Sequence, residues 1–202
     1  MLRPSLRAAS LAIGLGLASC ASLPPPTPFH TEAEPKTERS VDVLVGQRQY
    51  VSDDWEDVDQ PMFGGLETWW HRPGEPLAWE LTGQYAADDA DVGPDGKKTG
   101  RVAELSGGLR YLFGPLAKSF HPYASAGGSV LWAELEQDAF GYPSFDDEGW
   151  DFGVYARAGI FAYLVSDIWL GLDVRTLQEE WISAGTFDLD YWQVAITIGA
   201  DW

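Results

Sequence analysis

The sequence predicts an all-β protein, an eight-stranded antiparallel up-and-down transmembrane β-barrel. The clearest observation is the C-terminal segment 192–202, where large apolar side chains alternate with small or polar ones and a tryptophan stands at each end. Side chains of a strand point alternately to its two faces, so one face of this segment suits lipid and the other a narrow polar interior. Eight such segments follow one another, with alternately long and short connections between them.

The first residues of the sequence are predicted to form an export signal. Residues 1–19 carry Arg3 and Arg7 ahead of a short apolar core that could not span a bilayer as a helix. The segment ends Leu-Ala-Ser-Cys20, which resembles a bacterial lipobox, and this resemblance implies that Cys20 becomes a lipidated N-terminus. The alternative is ordinary signal cleavage beside a chance cysteine. Cys20 is the only cysteine, which excludes an internal disulfide.

Residues 20–40 are predicted to form a periplasmic tether. Their prolines and scattered polar residues cannot build a packed core. At about 3.1 Å per residue, an extended tether would reach roughly 60 Å. It would connect a lipid anchor to the barrel, which is predicted to occupy residues 41–202.

The eight predicted strands are long enough for the nine to eleven residues or so that a tilted membrane strand requires. They cover residues 41–52, 61–71, 77–87, 100–113, 122–136, 150–164, 167–177 and 188–202. The first and fifth alternate weakly. The fifth is rich in glycine, which favours a bulge or close packing within the wall.

The predicted connections distinguish the two sides of the membrane. With both termini in the periplasm, the outer loops are 53–60, 88–99, 137–149 and 178–187, and the inner turns are 72–76, 114–121 and 165–166. Long outer loops and short inner turns are typical of bacterial outer-membrane barrels. Acidic residues are concentrated in the outer loops, where they could collect divalent cations, although a solvated acidic surface is the simpler interpretation.

Aromatic residues are expected to form two girdles at headgroup level. The inner girdle would contain Trp69, Trp70, Trp79, Tyr111, Phe113 and Trp202, and the outer one Trp132, Phe152 and Trp192.

The non-lipid faces of the strands carry balanced charge. Four bases and four acids are predicted to point into the lumen and to form an ion-pair network, since an unpaired charge there would cost several kcal/mol. They are Arg48, Glu67, Glu80, Glu104, Arg110, Arg157, Asp173 and Arg175. Short connections place Arg157 beside Asp173 and Arg175, and Glu67 near Glu80. Two adjacent carboxylates could support acid–base chemistry, whereas a bridging Arg110 or Arg48 would make them part of a filled lumen.

The formal net charge of −18 excludes some partners. Without residues 1–20 and their two arginines, the chain carries 11 basic and 31 acidic residues. An acidic chain of this kind is unsuited to nucleic-acid binding, which needs a positive surface.

The glycine-rich strands, their number and the terminal strand ending in Trp202 make residues 41–202 similar to the small outer-membrane β-barrel superfamily of OmpA and OmpX type. The resemblance implies an outer-membrane location among lipids, and it implies that the barrel-assembly machinery reads Trp202 as part of an assembly signal. A lipobox departs from the usual member of this group.

No catalytic, cofactor or metal motif was found in the sequence: it has no CxxC, HExxH or glycine-rich phosphate loop. The sequence therefore favours a non-enzymatic barrel lipoprotein with a filled lumen and a structural or surface-interaction role through its acidic loops. The alternatives are an outer-membrane lipid-modifying enzyme and a soluble lipocalin-like barrel that binds lipid.

Overall fold

The computed structural model describes residues 38–51, 55, 58–72, 74–91, 96–116, 119–138, 145–179 and 189–202. The predicted signal peptide, Cys20 and nearly all of the tether lie outside these residues. No helix within the described ranges is long and apolar enough to cross a membrane.

The described residues form one closed antiparallel barrel in which each strand pairs with its neighbours in the sequence and β1 pairs with β8. The strands are β1 Glu38–Tyr50, β2 Met62–His71, β3 Leu77–Asp91, β4 Lys97–Leu112, β5 Phe120–Asp138, β6 Phe145–Val165, β7 Ile168–Gln178 and β8 Tyr191–Asp201. The predicted eight-stranded up-and-down barrel is confirmed.

The apolar faces of the strands point outward. On β8, Val194, Ile196 and Ile198 are 41–57% exposed, whereas Ala195 and Thr197 between them are 1% exposed. β7 shows the same alternation along its whole length. A barrel in water would hide these branched side chains and expose the polar ones, so the surrounding medium must itself be apolar.

The height of the apolar band fits a bilayer. β8 contains 11 residues; a rise of about 3.3 Å per residue and a tilt of about 40° give a height of roughly 25 Å. This matches the apolar band of about 25 Å found on outer-membrane barrels.

Two of the predicted outer loops are largely strand, which corrects the sequence interpretation. β3 continues to Asp91 and β4 begins at Lys97, while β5 continues to Asp138 and β6 begins at Phe145. Above the membrane both faces of a strand can be polar, so the alternation disappears although the backbone ladder continues. Exposed ion pairs join these extensions, among them Lys97 Nζ to Asp89 Oδ2 at 2.9 Å.

The predicted position of Trp69 in the inner girdle is wrong. Trp69 is buried inside the barrel, and only Trp70 beside it points outward. Two consecutive residues of a strand face opposite sides, so a Trp-Trp pair can contribute only one ring to a girdle.

The glycines of β5 serve close packing. β5 pairs with β4 and β6 without a register shift, and the irregularity in the wall lies at Tyr163 and Val165 on β6 instead. Gly108 on β4 lies against the hydroxyl of Tyr155 and Gly127 on β5 lies against its ring, and a Cβ at either glycine would meet this side chain. The two glycines therefore make room for a tyrosine that lies along the inner wall.

We expect Gly127→Ala to destabilise the barrel by about 1–3 kcal/mol, the range typical of overpacking. The added Cβ would overlap the Gly107 carbonyl oxygen and lie 2.8 Å from Tyr155 Cε1. Gly128→Ala is the matched control, because a Cβ there meets nothing closer than the Gly153 carbonyl oxygen at 3.9 Å. Urea unfolding in lipid vesicles measures both, and equal losses would contradict the packing argument.

Candidate functional site: the ion-paired lumen

Four arginines lie on one continuous cross-strand row around the inner wall. The register connects Arg110 to Ser125, Ser125 to Arg157, Arg157 to Arg175, Arg175 to Gln193 and Gln193 to Arg48. All four side chains point inward and are at most 4% exposed. A row of like charges in a dry interior is stable only if acids face it.

The inner half of the lumen pairs two arginines with three acids. Arg110 Nε donates to Glu80 Oε2 at 2.8 Å, and its Nη2 contacts Glu67. Arg157 contacts Glu67 through Nη1 and donates from Nη2 to Asp173 Oδ2 at 2.7 Å. Arg110 therefore bridges Glu67 and Glu80, so the two carboxylates belong to the ion-paired network.

Hydroxyl groups also donate hydrogen bonds to these acids. Tyr155 donates to Glu80 at 2.6 Å, Thr82 to Glu67 at 2.9 Å and Thr197 to Asp173 at 3.0 Å. Charge-assisted hydrogen bonds of this kind lower the cost of burying a carboxylate.

The outer half of the lumen is centred on Glu104. Arg48 Nη2 donates to Glu104 Oε2 at 2.9 Å, and Arg175 contacts the other carboxylate oxygen. The hydroxyls of Ser129 and Tyr191 also donate to Glu104, at 2.9 and 2.7 Å. This carboxylate therefore joins five strands of the wall.

Tyrosine rings cover the flat faces of the arginines. The guanidinium carbon of Arg48 lies 3.9 Å from the ring centroid of Tyr191, and that of Arg175 lies 4.1 Å from Tyr155. Arg110 stacks in the same way on Tyr123 at 4.3 Å. Such cation–π contacts are strongest when both partners are desolvated.

All eight charged residues that the sequence assigned to the lumen lie inside the barrel. The sequence interpretation overlooked further inward residues, chiefly Asp42, Tyr50, Tyr123 and Tyr191. Asp42 is fully buried and its carboxylate accepts a hydrogen bond from Ser40. Asp42 lies an even number of positions from Arg48 on β1, so both side chains point to the same face of the strand. The sequence could therefore have predicted that Asp42 points inward, but the weak alternation of this strand obscured it.

Apolar clusters close both ends of the lumen. At the inner end, Trp69, Trp169, Phe161 and Leu112 pack with Tyr123. At the outer end, Trp55 and Val58 from the β1–β2 connection and Leu189 from the β7–β8 connection join the side chains of the strands. Buried side chains thus lie at both ends of the barrel as well as in its middle.

The described histidines lie away from the ion-paired network. His71 ends β2, and His121, near the start of β5, stacks on Phe161 with a centroid distance of 5.2 Å. Within the described ranges, no group of three or more His, Cys, Asp or Glu side chains is arranged to hold a metal ion.

The fold is similar to those of solved outer-membrane proteins. A major outer membrane protein from Thermus thermophilus matches with a TM-score of 0.58 at 12% identity, over 82% of this chain and 99% of that chain. Neisserial surface protein A gives 0.56 at 10% identity, over 82% and 96%. Ail, the attachment invasion locus protein of Yersinia pestis, gives 0.55 at 12% identity, over 83% and 99%.

The sequence matches no protein-family model and no curated protein. The fold, with its apolar exterior and ion-paired interior, defines the class: a small eight-stranded transmembrane β-barrel of the type found in bacterial outer membranes.

Proposed function

We propose that this protein is a non-enzymatic outer-membrane β-barrel lipoprotein that supports the envelope or presents its outer surface to a partner. The observation that carries the proposal is the filled lumen, in which buried arginines and acids are paired between two apolar end clusters. Eight strands leave an interior just wide enough for side chains, so the barrel would serve as a rigid membrane body rather than a pore.

The wall also supports a non-enzymatic role. An enzyme acting on membrane lipids needs a route for its substrate from the bilayer to reactive groups. Here every strand is paired with both of its neighbours, including β1 with β8. The strands carry apolar side chains toward the lipid, which favours a sealed surface.

A soluble lipid-binding barrel is disfavoured by the direction of the side chains. Such a protein would enclose its branched apolar residues to form a ligand cavity. In this chain Arg157 and Asp173 occupy the interior, and the isoleucines of β8 lie outside.

We expect the folded protein to pass no ion current in planar lipid bilayers, because side chains occupy the lumen along its length. Arg48→Ala tests the reason for closure, since it removes the side chain that contacts Glu104, Gln84 and Gln193. Its recordings should show current steps that the wild type lacks. Stable open channels in the wild type would contradict the filled lumen.

We propose that Cys20 carries a lipid and that residues 20–40 tether it to the barrel. The Cys20→Ser variant should still stay in the membrane pellet after carbonate extraction, because the barrel holds itself in the bilayer. Metabolic labelling with a fatty acid should mark the wild type and not the variant. Recovery of folded variant in the soluble fraction would refute the membrane assignment.

The outer surface would prefer cationic partners. The structure of Ail was solved with the heparin analogue sucrose octasulfate, a polyanion. The strand extensions of the present chain place Glu134 opposite Glu148 and Glu136 opposite Asp146. Arg101 contacts Glu134 and Glu136, but its single charge does not balance four acids. A polyanion would therefore be repelled unless divalent cations bridged it to these acids.

We propose that Trp202 belongs to the signal read by the barrel-assembly machinery. Its side chain is largely exposed at the inner rim, and its backbone N–H donates to the Arg39 carbonyl oxygen at 2.9 Å. The ring is accessible while the backbone stays in the sheet, which is the arrangement that recognition of a terminal strand would require.

A further inference from the structure

The outer mouth of the barrel contains a second group of buried acids, separate from the arginine network. Glu179 follows β7 and is 4% exposed, and Asp151 on β6 is 3% exposed. Asp190 stands just before β8. The two ends of the β7–β8 connection meet at this point.

Glu179 connects these two ends through hydrogen bonds. Its Oε2 accepts a hydrogen bond from the Leu189 N–H at 3.0 Å, and its own N–H donates to Asp190 Oδ1 at 2.8 Å. The Asp190 carbonyl oxygen accepts from the Val51 N–H at 2.9 Å, which extends the connection to β1. Leu189, held in this way, is fully buried in the outer apolar cluster with Trp55.

The second carboxyl oxygen of Glu179, Oε1, faces a different environment from Oε2. Oε1 is buried and has no hydrogen-bond donor within the described ranges. Asp151, whose carboxylate interacts with Glu179, offers only acceptor oxygens when ionised. A proton on Oε1 converts this contact between two acceptors into a hydrogen bond.

We propose that a proton held by Glu179 and directed at Asp151 locks the outer end of the barrel, where the two ends of the β7–β8 connection meet. This end is held closed in acid and loosens as the pH rises. The groups that face Glu179 are Asp151 on β6, Asp190 before β8 and Tyr50 on β1, with Lys98 buried on β4 at the same end. Those that act most strongly on it are acidic, and so they oppose its ionisation.

The electrostatics agree with this geometry. Burial raises the pKa of Glu179 from its ordinary value of 4.5 to about 8; the Leu189 N–H opposes this rise, and the charges of Asp151 and Asp190 add to it. In an opened mouth the carboxyl would regain its ordinary pKa. The closed mouth therefore binds more protons than the open one between pH 4.5 and 8, and closure weakens with rising pH across that window. Below the window both forms are protonated, and above it both are ionised.

Hydrogen exchange of the Leu189 amide tests the proposal, because this N–H is exposed when the lock opens. In the full-length protein in lipid nanodiscs, after correction for intrinsic base catalysis, its protection should fall by up to about tenfold per pH unit between pH 5 and 8. It should level off above pH 8. The Thr197 amide in the middle of β8 is the internal reference and should stay protected throughout.

Glu179→Gln is the matched variant. Glutamine keeps the acceptor for Leu189 and can donate its amide N–H to Asp151, so protection should be high and should not fall between pH 5 and 8. Asp151→Asn removes the neighbouring charge and should shrink the pH-dependent window. It also supplies the comparison if the glutamine variant fails to fold.

Wild-type protection that does not change with pH would overturn the proposal, and so would a Glu179→Gln variant that keeps the wild-type pH dependence. A loss of protection on adding EDTA at pH 6 would show that a bound cation holds the two acids together, which would also overturn it.

Discussion

Replacing Arg110 with methionine should destabilise the barrel by about 3–5 kcal/mol, the cost of breaking a buried ion pair by removing one partner. The change leaves Glu67 with Arg157 and the Thr82 hydroxyl, and it leaves Glu80 with the Tyr155 hydroxyl but without a cation among the described residues. Neither acid can reach water. Urea unfolding in lipid vesicles, followed by tryptophan fluorescence, measures the loss.

The matched control is Arg72→Met. Arg72 lies in an inner turn, its side chain is 85% exposed, and it contacts Glu75 at 3.9 Å. An exposed pair contributes about 0–1 kcal/mol. Adding Glu80→Gln to Arg110→Met should recover part of the loss, because it removes one uncompensated charge. If Arg110→Met cost no more than Arg72→Met, the lumen network would not stabilise the fold.

Placing an arginine at Ile196 should cost about 2–4 kcal/mol, the range for a lipid-facing charge near the midplane of a transmembrane barrel. Ile196 is in the middle of β8, points outward, and pairs with Val45 and Leu172 on the neighbouring strands. The guanidinium would have to stay in hydrocarbon or distort the bilayer. Equilibrium unfolding in lipid vesicles of defined thickness measures this cost.

Val41→Arg serves as the comparison. Val41 also points outward, but it lies near the inner rim, opposite Ala200. An arginine at the interface costs only about 0–1 kcal/mol. The difference between the two variants therefore reports depth in the membrane. If Ile196→Arg were as mild as Val41→Arg, the outer surface would face water, and the membrane assignment would fail.

Sequence reasoning was strongest where a strand has one apolar and one polar face. On β6, β7 and β8 the parity of the alternation alone indicated that Arg157, Asp173 and Arg175 point inward. It was weaker where both faces are alike. On β1 the small and mixed residues conceal Asp42. Beyond the membrane, the sequence predicts loops where β3 and β5 extend to Asp91 and Asp138.

The alternation of side chains along a strand does not predict which inward residues contact each other in the lumen. The alternation predicts that Arg48 and Glu104 face the interior, but these residues lie on strands that are not adjacent. Their contact depends on how the barrel closes and on the stagger of the strands. The stacking of Arg48 on Tyr191 and the packing of Gly108 and Gly127 against Tyr155 have the same origin.

The sequence by itself determined which side chains meet lipid and which lie inside, because a strand has a period of two and the two faces of a membrane barrel lie in different solvents. Only the tertiary structure decided that Arg110 bridges Glu67 and Glu80, and that Glu179 joins Leu189 beside Asp151. These contacts connect residues that are far apart in the chain. They exist because a closed ring of staggered strands brings distant positions to the same height in one narrow interior.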